Sequence, residues 1–155
     1  MKRIEGRAEL AKNHFRQGYN CCQSVALAFS DILDMDEGKI AALAAGFGGG
    51  RGRMREVCGA FSGMTLVAGM LSPAANPADH DARTANYALV QEFASRFREE
   101  NGGSIICREL LGIPHSRSES PTPSERTDGY YKKRPCLEIV GTAAQILEDK
   151  INSSQ

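Results

Sequence analysis

The chain has 155 residues, with 19 Lys and Arg residues balanced by 19 Asp and Glu residues. This length predicts a single compact domain, residues 1–155, with one core. The balanced charge does not indicate nucleic acid as a partner. The charged N-terminus lacks the apolar stretch of a signal peptide, and no later segment is apolar for long enough to cross a membrane. We therefore expect a cytoplasmic protein without membrane insertion.

The five cysteines bear on the choice between a structural and a chemical role. In a reducing compartment a structural disulfide framework is not expected, and the odd number of cysteines agrees with that. Metal binding, redox chemistry and packing in the core remain as alternatives.

The first half of the chain predicts three helices. Residues 2–17 have apolar residues at spacings of three and four. Asn20 and Gln23 have the spacing of a capping box, which places Cys21 in the first turn of the second helix. Asp36 begins the third helix. The apolar stripe of the second helix contains Cys22, Val25, Phe29 and Leu33. Cys22 is therefore interpreted as a core residue.

The segment GFGGGRGRMREVCGAFSGMTLVAGML, residues 46–71, is central to the prediction. Its glycines do not propagate a helix, whereas the run that begins at Cys58 continues without proline. Cys58 is therefore predicted at a helix N-terminus. The helix dipole and the neighbouring Arg51, Arg53 and Arg55 favour a thiolate there, which predicts that Cys58 is the most acidic thiol.

Other interpretations of this segment are a phosphate-binding loop and a buried structural cysteine. The phosphate-loop pattern GxxxxGK[ST] is absent. The helix that follows Cys58 is apolar on all sides, which predicts a buried central helix. Gly59, Gly63 and Ala68 are expected to allow a second helix to approach it closely.

The second half of the chain predicts three further helices. Asn76-Pro77 is a start signal for a long helix that ends near Asn101. Ser104 is predicted to cap a short helix that carries Cys107. Residues 113–134, which include His115, are polar and predict an exposed loop. The last helix begins at Pro135 and places Cys136 in its first turn. No β-pattern is found, so the fold is predicted to be all-α, with about six helices.

Cys21, Cys58 and Cys136 all fall in the first turns of predicted helices. If these helix ends converge, three positive dipole ends meet at a cluster of sulfurs.

Four motifs together resemble the C_GCAxxG_C_C family of putative redox-active proteins. The motifs are GYNCCQSVALAF, GFGGGRGRMREVCGAFSG, SIICRELLG and RPCLEIV, and they extend from about Gly18 to about Leu147. The family core motif is present as CGAxxG, from Cys58 to Gly63. The resemblance assigns the four family cysteines to Cys21, Cys58, Cys107 and Cys136. Cys22 takes a place where alanine is more usual, and Arg55 stands where glycine is expected.

The resemblance implies an intracellular redox-active protein in which these four cysteines act as catalytic, cofactor-binding or metal-binding residues. It extends to a domain of a split-Soret haem protein that also holds an iron–sulfur centre. This chain has no CxxCH motif for covalent haem attachment. The cofactor that the resemblance implies for this chain is therefore an iron–sulfur cluster or a metal ion. Four thiolates are the usual ligands of such clusters.

Two classes of function follow from the sequence. The first is a redox protein that uses thiol–disulfide chemistry or an iron–sulfur or metal site, with an unknown redox partner. The second is a structural metal-binding protein or a helical dimer module with structural cysteines. Structural zinc sites usually have cysteines two to four residues apart, unlike the widely separated cysteines here. No substrate of an enzyme is indicated, and a homodimer is expected.

Overall fold

The computed structural model describes residues 2–113 and 119–154, and the predicted loop residue His115 lies outside these ranges. The all-α prediction is confirmed, with more helices than the six expected. The helices are α1 (Arg7–Arg16), α2 (Cys21–Leu27), α3 (Ser30–Leu33), α4 (Glu37–Ala44), α5 (Gly59–Leu71), α6 (His80–Glu100), α7 (Cys107–Leu111), α8 (Asp128–Lys133) and α9 (Cys136–Ser153).

The additional helices have local causes. The predicted second helix is interrupted at Phe29, whose φ of −125° and ψ of 33° are not helical, and α3 follows as a separate turn. The prediction that residues 113–134 form an exposed loop is wrong in one part, because this segment contains α8. Thr127 caps α8 by accepting a hydrogen bond from the backbone N–H of Tyr130.

Three helix starts also differ from the prediction. Ser104 does not cap the short helix α7, which begins at Cys107 with Ile106 as its N-cap residue. The first helix begins at Arg7, not at residue 2. The long helix α6 begins at His80 and is capped by Asp79, whose side chain accepts from Ala82. Asn76, the predicted cap, forms a preceding turn instead, with its side chain accepting from Ala78.

The predicted central helix is present as α5. Most of its residues are buried, and it packs against α2, α6 and α9. The prediction of close approach is confirmed at Gly59 and Gly63. A Cβ atom added to Gly63 would lie 2.8 Å from the Cβ of Val25, and one added to Gly59 would lie 3.1 Å from the Cβ of Cys21. Because glycine has no side chain, α2 and α5 approach each other closely at these two positions.

The core joins side chains from most of the helices. Phe61 of α5 and Phe97 of α6 form a tilted aromatic pair with ring centroids 5.8 Å apart. Phe15 of α1 and Leu147 of α9 are also buried in this core. Within the described ranges, none of the helices has both the length and the apolar character needed to span a membrane.

Candidate functional site: four cysteines at four helix N-termini

The glycine-rich segment before Cys58 forms a left-handed turn. Gly49, Gly50, Arg51, Gly52 and Arg53 all have φ between 57° and 69°. The turn is closed by backbone hydrogen bonds that run back along the segment. Glycine adopts this conformation without steric cost, whereas an arginine in it is strained by about 1–2 kcal/mol. The clustering of glycines is therefore explained by the shape of this turn.

One residue beyond this turn, Arg55 again has a positive φ, of 60°. This is the position at which glycine was expected from the family pattern, and the positive φ supplies the physical reason. The arginine side chain is buried and makes specific contacts. Its Nη2 donates to Glu119 at 3.0 Å, and its Nη1 lies 3.7 Å from the sulfur of Cys107. These contacts compensate for the strain of a non-glycine residue at this position.

A short backbone bridge places Cys58 beside Cys107. Val57 and Ile106 form an isolated antiparallel bridge. On one side of it, the N–H of Cys58 donates to Ile105 at 2.8 Å. On the other side, the N–H of Cys107 donates to Glu56 at 2.6 Å. The two cysteines, 49 positions apart in the sequence, are thereby held together.

Each of the four family cysteines lies at the start of a helix. Cys58 is the N-cap residue of α5, while Cys21, Cys107 and Cys136 are the first residues of α2, α7 and α9. The predicted position is confirmed for Cys21, Cys58 and Cys136. The predicted capping box of α2 is also present, because Asn20 and Gln23 hydrogen-bond to each other's backbone N–H.

The four helix ends meet at one pocket. Its lining includes all four family cysteines, with Arg55, Arg126 and Arg134 around them. Cys22 does not line this pocket. It is fully buried in the core, which confirms the prediction that it is a core residue. The site thus combines four sulfurs with three guanidinium groups and the positive ends of helix dipoles.

Cys21 and Cys136 each have the largest effect on the pKa of the other. The thiol of Cys21 hydrogen-bonds to the sulfur of Cys136, which raises the pKa of Cys21 well above its ordinary value, and burial acts in the same direction. The same hydrogen bond lowers the pKa of Cys136 and outweighs burial. Arg134, Arg55 and Arg126 lower the pKa of Cys136 further.

The prediction that Cys58 is the most acidic thiol is wrong. Burial raises the pKa of Cys58 to about 12, although the backbone amides of Phe61 and Ala60 act in the opposite direction. Burial also raises the pKa of Cys107, partly offset by its hydrogen bond with Arg55. The helix N-terminus therefore lowers the pKa of Cys58, as predicted, but burial raises this pKa by a larger amount. Cys136 has the greatest thiolate character of the four.

Residues 119–134 cover the pocket and contribute groups that the sequence patterns did not indicate. Glu119 pairs with Arg53 at 3.0 Å, in addition to Arg55. Arg126 lies over the ring of Phe15, with 4.0 Å between its guanidinium carbon and the ring centroid, and donates to the backbone oxygen of Tyr19 at 2.8 Å. No local pattern marks these residues, because their partners are distant in the sequence.

The four cysteines match the donor set of an iron–sulfur cluster in number and type. Across residues 2–113 and 119–154, no group of three or more His, Cys, Asp or Glu side chains is placed so that it could hold a metal ion.

Comparison with protein families gives a match to one family model, described as "Putative redox-active protein (C_GCAxxG_C_C)", over residues 19–150. The matched range contains all four helix-terminal cysteines and the segment that covers them. Neither the curated proteins nor the solved structures contain a match to this chain.

Proposed function

Because the chain belongs to the C_GCAxxG_C_C family of putative redox-active proteins, we propose that its four cysteines form one redox centre. The observation that carries the proposal is that Cys21, Cys58, Cys107 and Cys136 begin four different helices and line one pocket. Cysteines from distant segments need no common pocket if they serve only to fill the core. Positive helix ends and arginines around sulfurs favour thiolates.

Thiol–disulfide exchange is the chemistry that we propose for the Cys21–Cys136 pair. The Cys136 thiolate attacks one sulfur of an external disulfide, which forms a mixed disulfide and releases the first substrate thiol. The Cys21 thiol then loses its proton and attacks the Cys136 sulfur, which releases the second substrate thiol. Two protein thiols are oxidised to one disulfide, and the substrate disulfide is reduced to two thiols. The reverse sequence oxidises a substrate dithiol.

The unequal acidity of the two thiols supports this assignment. An attacking cysteine needs thiolate character near neutral pH, which the lowered pKa of Cys136 provides. Cys21 retains its proton and donates it to Cys136 in the reduced state. It becomes a nucleophile only after the Cys136 sulfur has entered a mixed disulfide. This order separates the attacking role from the resolving role.

An iron–sulfur cluster is the second candidate, and the four-sulfur lining of the pocket favours it. Cys21, Cys58, Cys107 and Cys136 would be its ligands, and a bound cluster would supply one-electron transfer. The arginines around the pocket would offset the negative charge of four thiolates. The two candidates use the same residues but differ in composition, so chemical analysis separates them.

The test begins with protein purified without oxygen, in which iron and acid-labile sulfide are measured. Metal-free protein is then reduced and titrated with a disulfide, and the disulfide bonds formed are mapped by mass spectrometry. Thiol–disulfide chemistry is supported by a Cys21–Cys136 bond that forms reversibly. Stoichiometric iron and sulfide support the cluster instead.

Matched variants show whether the four cysteines act as a unit. Serine at any one of the four positions is expected to abolish the cluster or alter the redox response. Cys22→Ala, at the neighbouring buried position, is expected to preserve both, with a loss of stability of about 1 kcal/mol. If the protein holds no iron and resists oxidation at every cysteine, the remaining interpretation is a structural or interaction module. If Cys22→Ala abolishes the response and Cys107→Ser does not, the four-cysteine centre is wrong.

A further inference from the structure

A second cavity lies directly beside the cysteine pocket. The two cavities share the lining residues Asn20, Gly49, Arg55, Arg126, Tyr130 and Arg134. The second cavity extends away from the sulfurs along the left-handed turn to Arg53 and Ser124. A molecule that reacts at Cys136 therefore has room for the rest of its structure in this cavity.

The second cavity is lined by four arginines and has little negative charge to balance them. Arg53 and Arg55 share one carboxylate, that of Glu119. Arg126 donates to the backbone oxygens of Phe15 and Tyr19, which carry no net charge. Within the described part of the chain, no carboxylate forms an ion pair with Arg126 or Arg134. The chain as a whole has no net charge, so this positive potential is local.

Two arginine groups in this cavity retain unused binding capacity. The Nε of Arg53 is buried and has no hydrogen-bond partner among residues 2–113 and 119–154. The guanidinium group of Arg134 lies over the ring of Tyr130, at 5.0 Å from its centroid, and no acidic side chain of the described residues pairs with it. A buried donor without a partner is unfavourable. An anionic ligand would provide such a partner.

We propose that this cavity binds a small disulfide that carries carboxylate groups, as the substrate of the Cys21–Cys136 pair. The proposal rests on the thiol–disulfide function proposed above. The guanidinium fork matches carboxylate geometry. Glu119 demonstrates that match beside the cavity, since its carboxylate bridges Arg53 and Arg55, which both line it. The carboxylate of the substrate contacts Arg134, and its disulfide faces Cys136.

The reaction is balanced without any further reagent. One disulfide and the two thiols of Cys21 and Cys136 give one protein disulfide and two thiols that each carry a carboxylate. Arginines hold the carboxylates and at the same time favour the attacking thiolate. Binding and activation therefore use the same positive charges.

Three small disulfides of similar size separate charge from reactivity. They are 3,3′-dithiodipropionate, which is anionic, bis(2-hydroxyethyl) disulfide, which is neutral, and cystamine, which is cationic. Reduced protein is mixed with each, and the rate of Cys136 oxidation is measured at low and at high salt. We expect the anionic disulfide to react about tenfold faster or more than the cationic one at low salt, with a smaller ratio at high salt.

Variants connect this preference to the cavity. Arg134→Gln is expected to reduce the anion-to-cation rate ratio several-fold. Because it also removes a charge that acidifies Cys136, the rates for all three disulfides fall, and the ratio is the informative quantity. Arg96→Gln, which removes an arginine paired with Glu92 on α6, is the control and should leave the ratio unchanged.

The outcomes distinguish this proposal from the function on which it rests. Equal rates for the three disulfides, or a ratio that Arg134→Gln does not alter, overturn the anionic substrate while the redox pair stands. Failure of all three disulfides to oxidise Cys136 in the wild-type protein overturns the thiol–disulfide function itself.

Discussion

The Nη1 atom of Arg55 lies 3.7 Å from the sulfur of Cys107. This contact opposes the effect of burial on the Cys107 thiol, whose pKa is nevertheless raised. Removal of the guanidinium group takes away the largest effect that opposes burial and leaves only the charge of Arg134 against it, so Arg55→Gln is expected to raise the pKa of Cys107 further. Alkylation of Cys107 at a fixed pH, followed by mass spectrometry, should be slower by about tenfold.

Arg16→Gln is the control for this measurement. Arg16 pairs with Glu9 on the surface of α1 and does not line the pocket. Its replacement should leave the alkylation of Cys107 unchanged. An equal rate in Arg55→Gln and wild-type protein would show that Arg55 does not influence the thiol.

Two glycines of α5 provide a matched test of helix packing. A Cβ at Gly63 would lie 2.8 Å from the Cβ of Val25 and 3.1 Å from the backbone oxygen of Cys22. Gly63→Ala is therefore expected to lower the free energy of unfolding by about 1–3 kcal/mol. A Cβ at Gly69 would meet no atom of the described residues within 4 Å, so Gly69→Ala should stabilise the protein by up to about 1 kcal/mol.

Chemical denaturation of the two variants measures both effects. The opposite signs are the decisive feature, since both substitutions place the same residue in the same helix. If Gly63→Ala were as stable as Gly69→Ala, α2 and α5 would not be in close contact at this point.

Features that depend on neighbouring residues could be predicted from the sequence. The capping box of Asn20 and Gln23, and the position of Cys58 at a helix start, are set by residues within a few positions. The family resemblance also gave an indication of the positive φ of Arg55, because the family pattern has glycine at that position. Its cause is visible only in the left-handed turn.

Features that depend on the folded environment could not be predicted in this way. The acidity of Cys58 was overestimated, because the sequence shows the helix dipole and the arginines but not the depth of burial. The roles of Glu119, Arg126 and Arg134 were missed for a related reason. Their segment has no apolar periodicity, and the contacts that order it join residues more than 60 positions apart.

The hydrogen bond between Cys21 and Cys136 predicts a specific order of acidity among variants. Cys21→Ala removes the donor and should raise the pKa of Cys136, whereas Cys21→Ser retains an O–H donor and should preserve much of the lowered pKa. The rate of Cys136 alkylation against pH, measured on reduced protein, gives both values. The arginines remain in both variants, so their effect on the pKa of Cys136 is the same in the two. Identical profiles for the alanine and serine variants would exclude the hydrogen bond as the cause.

The ion pair of Glu119 with Arg55 and Arg53 predicts how stability changes in acid. These partners lower the pKa of Glu119 from 4.5 to about 2. Because the unfolded chain takes up this proton more readily than the folded protein, the pair stabilises the fold above about pH 4.5. That stabilisation is lost as the pH falls toward 2.

Glu119→Gln should therefore lower the melting temperature at pH 7 by about 2 to 4 °C, an effect typical of a partly exposed pair. The difference from wild type should diminish between pH 4.5 and pH 2, as protonation removes the same charge from the wild-type protein. Glu125→Gln, at an exposed position of the same segment, is the control and should change the melting temperature little at any pH. Thermal unfolding followed by circular dichroism provides the comparison. A difference between Glu119→Gln and wild type that stays constant from pH 7 to pH 2 would show that the carboxylate charge is not what holds this segment over the cysteines.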